Sequence, residues 1–179
     1  MGNARLEHFL RTQVRTYRVA LADINTSTGS TGSVIAVEIL GVANRLVKLR
    51  HIQISKPTIS ITPYRLNYYS VASTGSTNQV VGASGSTFSV VQISGPAGST
   101  YDGVVRRYIS PPVAGTLVGS LQDIDLSTGD VMNEHYGDEK GYHAPTLRGS
   151  SESFGIEIGS TTAVVWNGYI EITEEGPST

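Results

Sequence analysis

Clusters of Gly, Ser and Thr cut this chain into short pieces. NTSTGSTGS (25–33), STGSTN (73–78), GASGST (82–87), GPAGST (95–100), LSTGD (126–130) and GSTT (159–162) all read as turns. Glycine supplies the positive φ that tight turns need, and Ser and Thr hydroxyls cap nearby backbone groups. The pieces between them differ in length and content, so the recurrence is compositional and not an internal repeat.

Those pieces are β-type. TYRVALAD (16–23), SVIAVEIL (33–40), NRLVKLRHIQISK (44–56) and TISITPYRLNYYS (58–70) are rich in branched and aromatic residues. In 44–56 the apolar phase switches from Val47 and Leu49 to Ile52 and Ile54, which predicts a bulge or bend near Arg50–His51. Tyr64, Leu66 and Tyr68 share a face, and Pro63 predicts either an edge position or a kink. TFSVVQIS, DGVVRRYIS, GTLVGSLQDIDL and SFGIEI add further strands. In AVVWNGYIEITEE (163–175), Val164, Trp166, Ile170 and Ile172 alternate as a core-lining face, with Trp166 as the core anchor and Glu174–Glu175 marking the exit to solvent. A buried indole N–H calls for an acceptor, here a backbone carbonyl.

Strands at this spacing, with no long 3.6-residue periodicity between them, predict an all-β antiparallel β-sandwich, jelly-roll-like. The 179 residues and 19.0 kDa fit one domain. The expected division is an N-terminal arm or short amphipathic helix over 1–15, a sandwich over 16–175 and a frayed tail over 176–179.

The arm breaks the β pattern. In NARLEHFLRTQV, Leu6, Phe9 and Leu10 share a helical face, with Arg5, Arg11 and Arg15 off it and Asn3 placed to cap. A helix this short is marginal alone and needs a surface, whether its own sandwich, a sister subunit or another protein. Residues 1–18 carry four arginines against Glu7. Arg5, Leu6, Phe9, Leu10, Arg11 and Arg15 are therefore the candidate docking residues, for a protein partner. A membrane partner is not expected, and neither is direct nucleic-acid binding, because no extended basic or aromatic track accompanies the arm.

Catalytic signals are sparse. There is no cysteine, which removes disulfides, thiolate metal sites and thiol nucleophiles. The histidines are His8, His51, His135 and His143, with no His-x-His. NEHYGDEKGYHAP (133–145) gathers Glu134, His135, Asp138, Glu139 and His143, which are metal-ligand types without ligand spacing. The expectation is a polar surface loop, with no metal and no cofactor. Ser residues lack a G-x-S-x-G elbow. Asp123 and Asp125 alternate on one strand face, but retaining glycosidases need two carboxyls about 5 Å apart beside a sugar platform, and none is evident. With a net charge of −2, no secretory leader pattern and no long apolar run, the expectation is a cytoplasmically made, non-enzymatic binding or structural module.

Four segments in order sharpen this: NRLVKLRHIQISKPT (44–58), TPYRLNYYSVASTGST (62–77), VVRRYISPPVAGTLVGSL (104–121) and SFGIEIG…VVWNGYIEITEE (153–175). Their succession resembles small β-sandwich virion structural proteins of tailed bacteriophages, such as capsid decoration or cement proteins. The resemblance implies a head-surface component made in the host cytoplasm. It would bind the major capsid protein or other virion proteins, self-associate as a homotrimer, and perform no catalysis. Neck, tail or head-fibre components are the neighbouring alternative. A carbohydrate-binding module using Tyr64, Tyr68, Tyr69, Tyr136 and Tyr142, and a divergent cupin, are the alternatives of other classes.

Overall fold

The structure, a computed structural model, describes residues 14–26, 32–55, 57–58, 61–74, 78–80, 89–95, 101–108, 111–137, 143–160 and 164–176. Twelve strands lie among them: β1 (Val14–Thr26), β2 (Gly32–Leu40), β3 (Leu46–Ser55), β4 (Ile61–Val71), β5 (Asn78–Val80), β6 (Ser89–Ser94), β7 (Val105–Tyr108), β8 (Thr116–Leu126), β9 (Val131–His135), β10 (Thr146–Leu147), β11 (Ser153–Ser160) and β12 (Val164–Glu175). The described residues contain no helix.

The strands form two antiparallel sheets packed face to face. The first runs β10–β3–β12–β1–β6, with β9 also paired to β3; the second runs β5–β7–β2–β11–β4–β8. Without the short additions β5, β6, β7 and β10, the sheets reduce to β1–β12–β3–β9 and β2–β11–β4–β8. The first strand pairs with the last and the second with the next to last, and the chain crosses between sheets at every step of this reduced order except β4 to β8, which are neighbours in the second sheet. That pairing is a jelly roll, so the β-sandwich expectation holds down to its topology.

The core sits between the sheets, and β12 supplies its centre. Val164, Trp166, Ile170 and Ile172 are fully buried, together with Val19, Leu49, Ile54, Leu66 and Ile156. The Trp166 indole N–H has no hydrogen-bond partner among the described residues, so the expected carbonyl is not met. Gly168 allows β12 to lie close to β3, since a Cβ there would stand 2.0 Å from the Gln53 carbonyl oxygen.

The two irregularities expected from sequence are present. His51 opposes Glu171 and Leu49 opposes Ile172, which leaves Arg50 as the extra residue of a bulge. The bulge restores both apolar pairs of β3 to the core side: Val47, Leu49, Ile52 and Ile54 are all buried. Pro63 lies at an irregularity outside both ladders of β4, whose pairing with β11 begins only at Tyr64. β4 is flanked by β11 and β8, and its register with β8 steps between Ile61 and Tyr64.

Candidate functional surfaces

Of the docking residues, Arg5, Leu6, Phe9, Leu10 and Arg11 lie outside the described residues. Arg15 belongs to the sandwich: it stands in β1 opposite Glu174, and Val14 stands opposite Glu175. The described chain therefore begins beside the end of β12. The Arg15 guanidinium reaches Asp102 at 3.7 Å, and Arg45 reaches the same Asp102 oxygen at 2.8 Å.

Glu174 is not an exit to solvent. It is fully buried, and neither carboxylate oxygen has a hydrogen-bond partner among the described residues. Register explains this. β12 stays paired with β1 and β3 through Glu175, so its alternation carries the inner face on from Ile170 and Ile172 to Glu174. Burial pushes the Glu174 carboxyl above its usual range, and the neighbouring Asp102 charge adds to this. The positive charges of Arg45 and Arg15 oppose it. Tyr17 and Tyr101 pack nearby with ring centroids 5.3 Å apart, and burial together with Glu174 raises both hydroxyls.

The outer face of the first sheet carries a cross-strand ladder. Arg18 on β1 donates to Glu171 on β12 at 2.9 Å, and its guanidinium lies 4.3 Å over the Tyr169 ring. His51 on β3 and His135 on β9 oppose each other in register and stack at 3.8 Å. One His51 nitrogen meets the Asn133 side-chain oxygen, and the other lies 3.9 Å from Glu171. Lys48 pairs with Glu175 at 2.7 Å. The 133–145 stretch is therefore only partly a loop: Asn133, Glu134 and His135 belong to β9. His143 is exposed, and Asp138 and Glu139 lie outside the described residues. Among the described residues, no three His, Asp or Glu side chains converge as a metal-ligand set.

The outer face of the second sheet holds a buried carboxylate that is fully engaged. Glu38 on β2 is 0% exposed. It accepts from the Ser73 backbone N–H at 2.9 Å, the Ser153 hydroxyl at 2.7 Å and the Tyr108 hydroxyl at 2.5 Å, with Arg106 at 3.9 Å. Burial, then the Glu38 carboxylate, pushes the Tyr108 hydroxyl up. Farther along, Arg65 bridges Asp123 at 2.8 Å and Glu157 at 3.5 Å, and Asn67 donates to Glu157 at 2.6 Å. Asp123 of the candidate carboxylate pair is thus an ion-pair partner on strand β8.

The tyrosines proposed as a sugar platform do not form one. Tyr64 and Tyr69 are buried and Tyr68 and Tyr136 half-buried, while Tyr142 lies outside the described residues. Tyr64 lies in the core between the sheets, with Tyr68 and Tyr136 packed against that core, while Tyr69 lies in a separate buried cluster with Ile35 and Tyr108.

Two apolar edges escaped the reading of the sequence. β8 ends the second sheet, and Leu117, Val118 and Leu121 on it are exposed, as are Val71 and Val113 beside it. β6 ends the first sheet on the opposite side of the sandwich and exposes Val91 and Ile93. The available signal was the absence of charge: PPVAGTLVGSL (111–121) and SVVQIS (89–94) contain no Asp, Glu, Lys or Arg.

The class this architecture defines is the jelly-roll β-sandwich, with outer faces held by polar ladders and two uncharged apolar edges. No family model, curated protein or solved structure matches the chain.

Proposed function

We propose that this chain is a non-enzymatic structural component of a bacteriophage virion, a decoration or cement protein that binds the head surface as an oligomer and stabilises the shell. The observation that carries this reading is the strand pairing. The four segments that resemble phage virion proteins fall in order on β3, β4, β7 with β8, and β11 with β12, which together supply most of the jelly roll's inner strands. Jelly rolls serve widely as shell-building modules, and this one is fastened on both outer faces by cross-strand polar contacts. The pairing of Val14 with Glu175 puts the start of the described chain at one defined end of the domain, the end beside which an N-terminal arm would engage a shell.

The test is co-sedimentation with expanded empty capsids assembled from the major capsid protein of the same genome. The full chain is expected to pellet with capsids and raise their thermal disruption temperature. Deleting residues 1–12 is expected to abolish co-sedimentation and leave the folded oligomer intact. A full chain that stays in the supernatant overturns the head-surface reading.

A further inference from the structure

We infer that the outer face of the first sheet carries a binding site for a first-row transition-metal ion of the zinc type, built by Glu171, His51 and His135, and that the ion clips the edge strand β9 onto the sheet. The site is independent of the virion reading and would stand without it.

The three side chains come from three neighbouring strands. Glu171 on β12 opposes His51 on β3, and His51 opposes His135 on β9. They stand in one row across the outer face of the sheet. Residues directly opposite in an antiparallel ladder have Cβ atoms about 4.5–5.5 Å apart, close enough for neighbouring side chains to share an ion. Imidazole and carboxylate are both zinc-ligand types.

His51 is the fixed member. It is buried, and Tyr169 packs edge-on against its ring with centroids 4.9 Å apart. Its Nε2 meets the side-chain oxygen of Asn133, and that oxygen only accepts. Nε2 therefore carries the proton of the neutral ring, and Nδ1 holds the lone pair. Nδ1 faces Oε2 of Glu171 at 3.9 Å. Two acceptors confront each other across a gap too long for a hydrogen bond, so a proton on Nδ1 is too short a bridge. A metal ion fits better. Tetrahedral bonds of about 2.0–2.2 Å to nitrogen and oxygen hold those atoms roughly 3.4 Å apart, so the gap closes by only about half an ångström.

Both ligands are also supported from behind. A ligating imidazole donates its other N–H to an oxygen acceptor, and a ligating carboxylate is itself hydrogen-bonded. Asn133 does the first. Arg18 does the second: its Nε and a terminal nitrogen both bind Oε1 of Glu171, which leaves Oε2 facing His51.

His135 supplies the third ligand. As they stand the three side chains do not converge, because His135 stacks on His51 with ring centroids 3.8 Å apart. His135 is exposed, and it turns out of the stack toward the ion about its own side-chain bonds. Water takes the fourth position. Among the described strands β9 pairs with β3 alone, so an ion shared by His135, His51 and Glu171 ties an edge strand to two inner ones.

The test uses the full chain, stripped of metal by a chelator and free of affinity-tag histidines. Wild type is expected to bind one zinc ion per chain in calorimetric titration, and micromolar zinc is expected to raise its thermal midpoint. Cobalt in place of zinc is expected to show the visible absorption of a tetrahedral ion. H135Q and E171Q are each expected to weaken zinc binding at least about tenfold and to abolish that absorption. Both positions lie on the outer face, so both variants are expected to keep the wild-type circular dichroism. H143Q, at an exposed histidine outside the row, is expected to bind zinc as wild type does. The inference is overturned by a wild type that binds no zinc at micromolar concentration, by a loss in only one of H135Q and E171Q or in neither, or by an equal loss in H143Q. A wild type that binds no zinc and still pellets with capsids removes the metal site and leaves the virion reading standing.

Discussion

Arg15 stands directly opposite Glu174 across the β1–β12 ladder, yet its guanidinium reaches out to Asp102 at 3.7 Å, and neither oxygen of the buried carboxylate has a hydrogen-bond partner among the described residues. Two arginines, Arg15 and Arg45, serve the half-exposed acid, while the fully buried one depends on their longer-range field.

Proton linkage at Glu174 follows from that arrangement. Its folded-state pKa is raised above the ordinary value of 4.5. The folded chain therefore holds this proton more tightly than the unfolded chain does. The associated stability is fully present below the unfolded pKa and is lost as pH rises through the folded pKa. Glu174→Gln is expected to unfold at a higher urea concentration than wild type at pH 8, with the gap narrowing steadily toward pH 4.5. Urea midpoints for both proteins across this range check it. A gap independent of pH would assign the effect to packing alone.

The Glu38 network predicts an order of costs. Tyr108→Phe removes one hydrogen bond to a buried carboxylate, worth about 1.5–3 kcal/mol. Glu38→Ala strips the acceptor from Ser73, Ser153 and Tyr108 together, and is expected to cost about 3–5 kcal/mol. Urea midpoints at neutral pH measure both. Equal losses would mean that Tyr108 is the sole effective partner.

These residues mark where the fold was legible and where it was not. The switch from Val47 and Leu49 to Ile52 and Ile54 is a local signal, because a strand buried on one face can change phase only by bulging, and Arg50 is that bulge. Trp166 was legible for the same reason: period-2 apolarity names the inner face. Glu174 was not, because a pair of glutamates after Ile172 reads as solvent unless β1 and β3 are known to run on beside them. Glu38 sits in SVIAVEIL with partners 35, 70 and 115 residues away, so no window contains the network. The β8 edge was hidden differently. GTLVGSLQDIDL has the composition of a core strand, and its exposure is a property of the sheet order.

Gly168 provides the sharpest packing test. Its missing side chain lets β12 lie against β3, and an added Cβ would fall 2.0 Å from the Gln53 carbonyl oxygen and 3.3 Å from the Ile54 Cα. Both are backbone atoms of a central strand, so relief requires moving β3 or β12 at the middle of the first sheet. Gly168→Ala is expected to lose about 1–3 kcal/mol or more, the range for overpacking a close contact. Gly119→Ala is the control. With open space around that position, it is expected to be neutral or to gain up to about 1 kcal/mol, as less freedom is lost on folding. Thermal and urea unfolding of the two variants should move in opposite directions. A Gly168→Ala protein as stable as wild type would show that β12 can shift away from β3 without cost, and with it the strand pairing that holds Trp166 at the centre of the core.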